Sequence, residues 1–315
     1  MDQKNGGGLL AKLSAPLIVL ATIIWGGSFV VMKSSVDVLP TFWLLAIRFS
    51  LAALALSLLF WKKWKLLDLH CLLGGTVMGF FLFIAYVFQT FGLEGTTPGK
   101  NAFLTAVYCV IVPFRYWAVT RRRPDRFHLL AAVLCIAGIG LVSLNGDLSI
   151  NTGDLLTLVG GLFFAAHIVA VAKFSEGRDI FLLTALQFIS FAVCAWLCVL
   201  FTRPPLDTGV FTSELTLSLA YLVAFATCGG LLFQNIGQKF TAPATAAVLL
   251  SLEAPFGVIF SILFAEERPT PAMFIGFALI FLAVVCSETK FAFLRKKISR
   301  ENAAQGLDSS RQSDL

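Results

Sequence analysis

Phe88-Gln89-Thr90-Phe91-Gly92 returns 145 residues later as Phe233-Gln234-Asn235-Ile236-Gly237. The same ungapped register pairs Thr96 with Thr241, Pro98 with Pro243, Ala102 with Ala247 and Leu104 with Leu249. It closes on two charged corners, Arg121-Arg122-Arg123-Pro124 and Glu266-Glu267-Arg268-Pro269. Upstream, an offset of 139 pairs Phe42 with Phe181, Ala46 with Ala185, and Arg48-Phe49 with Gln187-Phe188. The chain is therefore expected to be one unit written twice, and a repeat governs every later reading of the fold.

The chain has 315 residues, of which 58% are hydrophobic and only 13% charged. Soluble domains carry about 25% charged residues. The deficit, with a mean hydropathy of +0.86, excludes a soluble enzyme, a disordered chain and a nucleic-acid module. Apolar stretches of roughly 20 residues recur throughout, each long enough to cross a bilayer. Ten spans are expected, near 14–32, 40–60, 71–91, 99–119, 127–144, 154–173, 180–201, 216–238, 242–264 and 271–288. Backbone groups have no water in the hydrocarbon core, so each span should be helical. The first apolar segment is too long for a typical signal peptide and lacks a small-residue cleavage site, so it is expected to be a mature helix.

With the N-terminus in the cytoplasm, 18 Lys and Arg fall in cytoplasmic segments and 4 outside, leaving Arg48 and Arg115 within spans. This bias predicts cytoplasmic N- and C-termini. Five spans per unit is odd, so the second unit should lie upside down. The expected layout is a tail at 1–13, a first repeat at 14–144, a linker at 145–153, a second repeat at 154–288 and a basic tail at 289–315. Inverted repeats are common in secondary transporters, with sites near the midplane between them.

Ile24-Trp25-Gly26-Gly27-Ser28-Phe29-Val30, Arg48-Phe49 and Asn101-Ala102-Phe103-Leu104-Thr105 carry a resemblance, with Ser251-Leu252-Glu253-Ala254-Pro255 and the Glu266-Glu267-Arg268-Pro269 corner. On these residues the chain resembles the drug/metabolite transporter superfamily, in its EamA-type branch, from about 14 to 288. The resemblance implies ten helices in paired five-helix repeats around a central cavity. It also implies export of amino acids or similar metabolites across a bacterial inner (plasma) membrane. Two positions depart from the family pattern. Ala254 separates Glu253 from Pro255, and Arg121-Arg122-Arg123 stands where the family often has Glu-Arg.

Ionisable groups inside a span cost about 2.5–3.5 kcal/mol on insertion scales and so face a cavity or a partner. Arg48 and Glu253 are the two near mid-span, and three arrangements fit them. They can pair as a lock, Arg48 can be structural while Glu253 faces substrate, or both can hold a zwitterion. Unpaired, Glu253 is a candidate carrier of a coupling proton. Asn101, Thr105 and Tyr108 share one helical face, suited either to a cavity or to helix–helix hydrogen bonds. Tyr86 and Gln89 follow on the third span, and Gln234 and Asn235 on the eighth. Gln187 is the repeat mate of Arg48, and His167 that of Ser28. Trp25 lies too deep for an interfacial belt, so it either walls the cavity or packs the core. Pro113, Pro243 and Pro255 are expected to interrupt helices. Lys100 and Arg115 are expected to snorkel to the interfaces. The basic tail reads as an orientation signal and an anchor for anionic lipid.

The seven cysteines show no metal-type spacing, and no phosphate-binding G-x-x-x-x-G-K-[ST] loop occurs. No cofactor and no nucleic-acid partner are expected. A membrane enzyme would need clustered nucleophiles or ligands, and a channel several helix sets. The expected function is secondary transport of small polar metabolites, amino acids first, as a monomer or weak homo-oligomer, with protons as a possible coupling ion. Efflux of hydrophobic cations is the alternative, with a nucleotide- or sugar-type carrier behind it.

Overall fold

The structure is a computed structural model describing residues 3–121, 126–143, 151–241, 243–268 and 270–289. Arg122, Arg123 and Pro124, Pro269, most of the expected 145–153 linker and the tail beyond 289 lie outside the described residues. Every regular element among the described residues is helical: α1 (Gln3–Val36), α2 (Thr41–Leu59), α3 (Leu69–Glu94), α4 (Pro98–Thr105), α5 (Tyr108–Thr120), α6 (Arg126–Ser143), α7 (Thr152–Phe174), α8 (Ile180–Thr202), α9 (Ser213–Tyr221), α10 (Gly230–Phe240), α11 (Pro243–Ser251), α12 (Glu253–Phe264) and α13 (Pro271–Thr289). A π-helical turn, Leu222–Gly229, joins α9 to α10. A short 3₁₀ turn, Trp61–Leu66, follows α2.

Eight of the helical runs are long and apolar enough to cross a membrane. Their outer faces are apolar, with Phe201 80% and Leu217 73% exposed. Arg48, Asn101, His167, Gln187 and Glu253 are buried instead. Apolar outside and polar inside is the arrangement a lipid solvent demands. This is a multi-pass membrane protein.

Polar caps set several helix starts. Asp68 accepts from the Cys71 N–H at 2.5 Å, a bond that holds this exposed carboxyl below its ordinary pKa. Asn151 accepts from Gly153 N–H, Asp179 from Phe181 and Leu182 N–H, and Thr212 from Leu215 N–H. Each satisfies a donor that the first helical turn leaves free. At the front of the chain α1 begins at Gln3, well before the expected start at 14. Helix propagation gains a hydrogen bond per residue, so it runs past the apolar boundary.

Two expected spans are broken, at matching places. The fourth divides at Ala106–Val107 into α4 and α5, and the ninth at Leu252 into α11 and α12. Val107 and Leu252 are mates in the 145-residue register. The chain tightens there into 3₁₀-type bonds, from Val107 N–H to Leu104 and from Leu252 N–H to Leu249. The prolines act differently from expectation. Pro113 lies inside α5, which continues through it. Pro243 is the first residue of α11. Pro255 sits in the first turn of α12, where its missing N–H costs nothing. The charged corners also match, since Arg121 (φ 61°) and Glu266 (φ 52°) are both left-handed.

Packing joins α1 to α10 and α12, α3 to α7 and α8, α2 to α8, α4 to α12, and α6 to α13. Phe49 and Phe188, mates in the repeat, meet edge to face at 5.6 Å. Gly75 and Gly79 let α3 and α8 touch. A Cβ at Gly79 would stand 2.4 Å from the Gln187 carbonyl oxygen, as expected of small residues four apart on a packed helix.

Polar contacts define two ends of the bundle. At one, Lys33 Nζ donates to the Glu94 carbonyl at 3.1 Å and Thr41 Oγ1 to the Glu94 carboxyl at 2.5 Å. There also Lys100 pairs with Asp154 at 2.7 Å, and Thr96 donates to Asp154 at 2.6 Å. Glu267 accepts from Thr97 Oγ1 at 2.5 Å, from Gly99 N–H at 2.9 Å and from Ser261 Oγ. At the other end Lys63 pairs with Asp179 at 2.8 Å, and Lys239 donates to the Arg178 carbonyl. Lys100 is thus an ion-pair partner rather than a snorkelling group. Asp154 is fully buried, so Lys100→Met strands a charge. Breaking a buried pair from one side costs about 3–5 kcal/mol. Thermal unfolding in detergent should show that loss for Lys100→Met, and a partial recovery when Asp154→Asn is added.

Candidate functional site

A cavity lies between the halves, with a volume of about 50 Å³ open to the centre of a water-sized sphere. Trp25 and Phe29 of α1, Arg48 of α2, Tyr86 and Gln89 of α3, and Asn101 and Thr105 of α4 line it. Tyr108 of α5, Gln234 of α10 and Glu253 of α12 complete its polar wall, with Phe164 and Ile168 of α7 contributing apolar surface. The cavity thus brings together Trp25, Arg48, Tyr86, Gln89, Asn101, Thr105, Tyr108, Gln234 and Glu253. His167, Gln187 and Asn235 do not line it.

The two helix breaks build the centre. Tyr108 is the first residue of α5 and Glu253 the first of α12. Each follows its break by one residue, which points two half-helix N-termini at the cavity. The first-turn N–H groups of α5 are already engaged, Cys109 by the Ala106 carbonyl and Val110 and Ile111 by the Val107 carbonyl, so what such an end offers a negative charge is its helix dipole. Tyr108 and Glu253 line the same cavity. Oε1 of Glu253 has no hydrogen-bond partner among the described residues.

Arg48 is buried, and no ion pair joins it to a carboxylate among the described residues. Its Nε donates to Thr227 Oγ1 at 2.5 Å, and Nη1 lies 3.6 Å from Met32 Sδ. The guanidinium sits over the Tyr86 ring at 5.1 Å and the Phe49 ring at 5.5 Å. Aromatic faces stabilise a cation without neutralising it. Thr227 lies in the π-helical turn, where its hydroxyl donates to the Leu222 carbonyl at 2.8 Å. Trp25 Nε1 donates to the Ala226 carbonyl in the same turn at 2.8 Å. Turns of this kind recur at functional sites because they present otherwise committed carbonyls. Trp25 therefore both walls the cavity and fastens α1 to this turn.

The α4 face serves two purposes as well. Asn101 Nδ2 donates to Thr157 Oγ1 at 2.7 Å and to the Gln89 carbonyl at 3.2 Å. Gln89 Nε2 donates to Thr105 Oγ1 at 3.0 Å. These bonds fix the wall while Asn101 Oδ1 and Thr90 Oγ1 stay without protein partners.

His167, Gln187 and Asn235 form a separate buried cluster. His167 Nε2 lies 3.3 Å from Gln187 Oε1. Asn235 Nδ2 donates to the same oxygen at 3.2 Å and to Thr184 Oγ1 at 3.0 Å. Thr227, Met32 and Thr157 escaped the sequence reading. A lone threonine or methionine in an apolar span carries no spacing signal, and only the fold shows what it touches.

The EamA-like transporter family matches the chain twice, over residues 12–144 and 151–289. The chain belongs to this family. A protein named uncharacterized transporter from Archaeoglobus fulgidus is 32% identical over 288 residues, covering 90% of this chain and 89% of that one. A second uncharacterized transporter of that organism is 26% identical over 275 residues, covering 80% of this chain and 89% of its own length. The uncharacterized transporter YetK of Bacillus subtilis is 26% identical over 181 residues, covering 55% of this chain and 54% of its own. A protein of known crystal structure aligns with a TM-score of 0.64 at 17% identity, covering 87% of this chain and 97% of that chain. That likeness concerns the fold alone.

Proposed function

We propose that this membrane transporter exports small zwitterionic metabolites, amino acids first, by alternating access of the central cavity. One observation carries the reading. Arg48 and Glu253 are both buried and face one cavity, yet no ion pair joins them. A cation without a carboxylate partner suits a substrate carboxylate. A carboxyl group with an oxygen to spare suits a substrate ammonium or a proton. Thr90 and Asn101 add hydrogen-bonding positions, while Trp25, Phe29 and Phe164 offer an apolar wall.

The architecture proposed is ten spans in two inverted repeats. The end contacts support inversion. The C-terminus of α1 meets the C-terminus of α3 through Lys33 and Glu94. The N-terminus of α7 meets that same end of the bundle through Asp154 and Lys100. The first helix of each half thus runs in the opposite sense. Exchanging the halves also maps the helix-packing pairs onto one another. Cytoplasmic termini are proposed from the charge bias, a bacterial plasma membrane from the family resemblance and the compact loops, and a monomer suffices to enclose the cavity.

Arg48 disfavours the efflux of hydrophobic cations, which it would repel. Counterflow in proteoliposomes preloaded with mixed amino acids tests the proposal. Exchange of labelled members is expected. Exchange of a lipophilic cation with none of any amino acid would overturn it.

A further inference from the structure

Unpartnered buried polar atoms are rare in folded proteins, because each costs about 1–3 kcal/mol unless water or a ligand meets it. Here they are not scattered. Beyond the cavity, His167 Nδ1, Gln187 Nε2, Asn235 Oδ1, both polar atoms of the Gln238 amide, and Arg178 Nε are all buried without a partner among the described residues. They belong to α7, α8 and α10 and the turn before α8.

Their positions form a line. Gln234 lies on the cavity wall. Asn235 and Gln238 follow it on α10, and residues three and four apart on a helix share a face. Asn235 reaches Gln187, which reaches His167. Gln187 sits seven residues into α8, roughly 10 Å along its axis from Ile180. Beyond Gln238 stand Lys239 and Arg178, joined through the Arg178 carbonyl at the Lys63–Asp179 end of the bundle. The line thus runs from the cavity to one end and not to the other. At the opposite end, Glu267 and Asp154 are occupied by Thr97, Gly99, Ser261, Thr96 and Lys100.

We infer that the seam from Gln234 through Asn235, Gln187 and His167 to Gln238 and Arg178 is a hydrated passage by which small hydrogen-bonding solutes move between the central cavity and the Lys63–Lys239 end. Amides suit such a passage. Each both donates and accepts, so between Gln234 and Gln238 a solute can change partners without meeting a fixed charge, and charge stands only at the mouth, on Arg178, Lys239 and the Lys63–Asp179 pair. The repeat gives no second copy of the seam. The mates of Gln187 and Asn235 are Arg48 and Thr90, and these belong to the cavity itself. The inference rests on the transporter reading but not on the identity of its substrate.

The test is thiol accessibility in sealed vesicles of both orientations. In a chain whose seven cysteines are replaced, Gln238→Cys and Gln187→Cys are probed with a small hydrophilic methanethiosulfonate. Ile236→Cys, packed on apolar residues of α8, is the control on the same helix. Thiol reactivity follows exposure, so Gln238→Cys should react about tenfold faster than Ile236→Cys, and only from the Lys63–Lys239 face. Hydroxyl-radical footprinting of the unaltered protein should oxidise His167, which guards against variants that misfold. Equal protection of Gln238→Cys and Ile236→Cys from both faces, with His167 unoxidised, would overturn the passage. Labelling at Gln238→Cys without exchange of any amino acid would leave the passage standing and remove only the substrate proposed above.

Discussion

Arg48→Gln is expected to erase the preference of the transporter for amino acids over the matching amines that lack a carboxylate. The wild-type guanidinium is buried over Tyr86 and held by Thr227, with no carboxylate paired to it among the described residues. A substrate carboxylate entering the cavity would supply the missing charge. Hydrogen bonds to charged groups contribute about 1.5–3 kcal/mol, which corresponds to roughly 10- to 100-fold in half-saturation. The variant should lose that factor for the amino acid and little for the amine. Arg48→Lys should not rescue it, because a lysine lacks the planar fork that stacks on aromatic rings while donating sideways. Counterflow competition with each pair of compounds measures the ratio. A purely structural Arg48 would instead lower melting temperature and uptake together and leave the ratio unchanged.

How much of this was legible in the sequence varies with the kind of signal. The Phe-Gln-x-x-Gly repeat carries over to the double family match and to the paired breaks at Val107 and Leu252. Polar residues deep in apolar spans carried most of the cavity wall, because membrane insertion is too costly for such groups to face lipid. The partners were hidden. Nothing in the spacing joins Arg48 to Thr227, 179 positions away. Lys100 looked like an interfacial lysine because its acceptor, Asp154, lies on a distant helix. His167, Gln187 and Asn235 looked like their cavity mates because register fixes depth, while the direction a helix faces depends on packing. The π-helical turn is invisible in an apolar run. Its backbone departs from α over Leu222–Gly229, a stretch whose Ala226 carbonyl accepts from Trp25 and whose Thr227 hydroxyl accepts from Arg48.

Glu253→Gln is expected to separate exchange from accumulation. The amide keeps the size and hydrogen-bonding reach of the carboxyl, so Tyr108 retains its neighbour and α12 still begins at the same turn. What is lost is the ability to bind and release a proton. If Glu253 carries the coupling proton, an imposed pH gradient drives net uptake only in the wild type. Counterflow, which needs no gradient, should persist in the variant within a few-fold. Gradient-driven accumulation should fall to the level of protein-free vesicles. Tyr108→Phe should act more weakly, because it alters the cavity wall beside Glu253 without removing the proton site. If Glu253 instead holds the substrate ammonium, Glu253→Gln lowers counterflow and accumulation by the same factor, since both begin with binding. The two readings therefore give opposite ratios of the same two rates. The unsatisfied Oε1 is compatible with either, but only a proton carrier leaves exchange intact when the charge is removed.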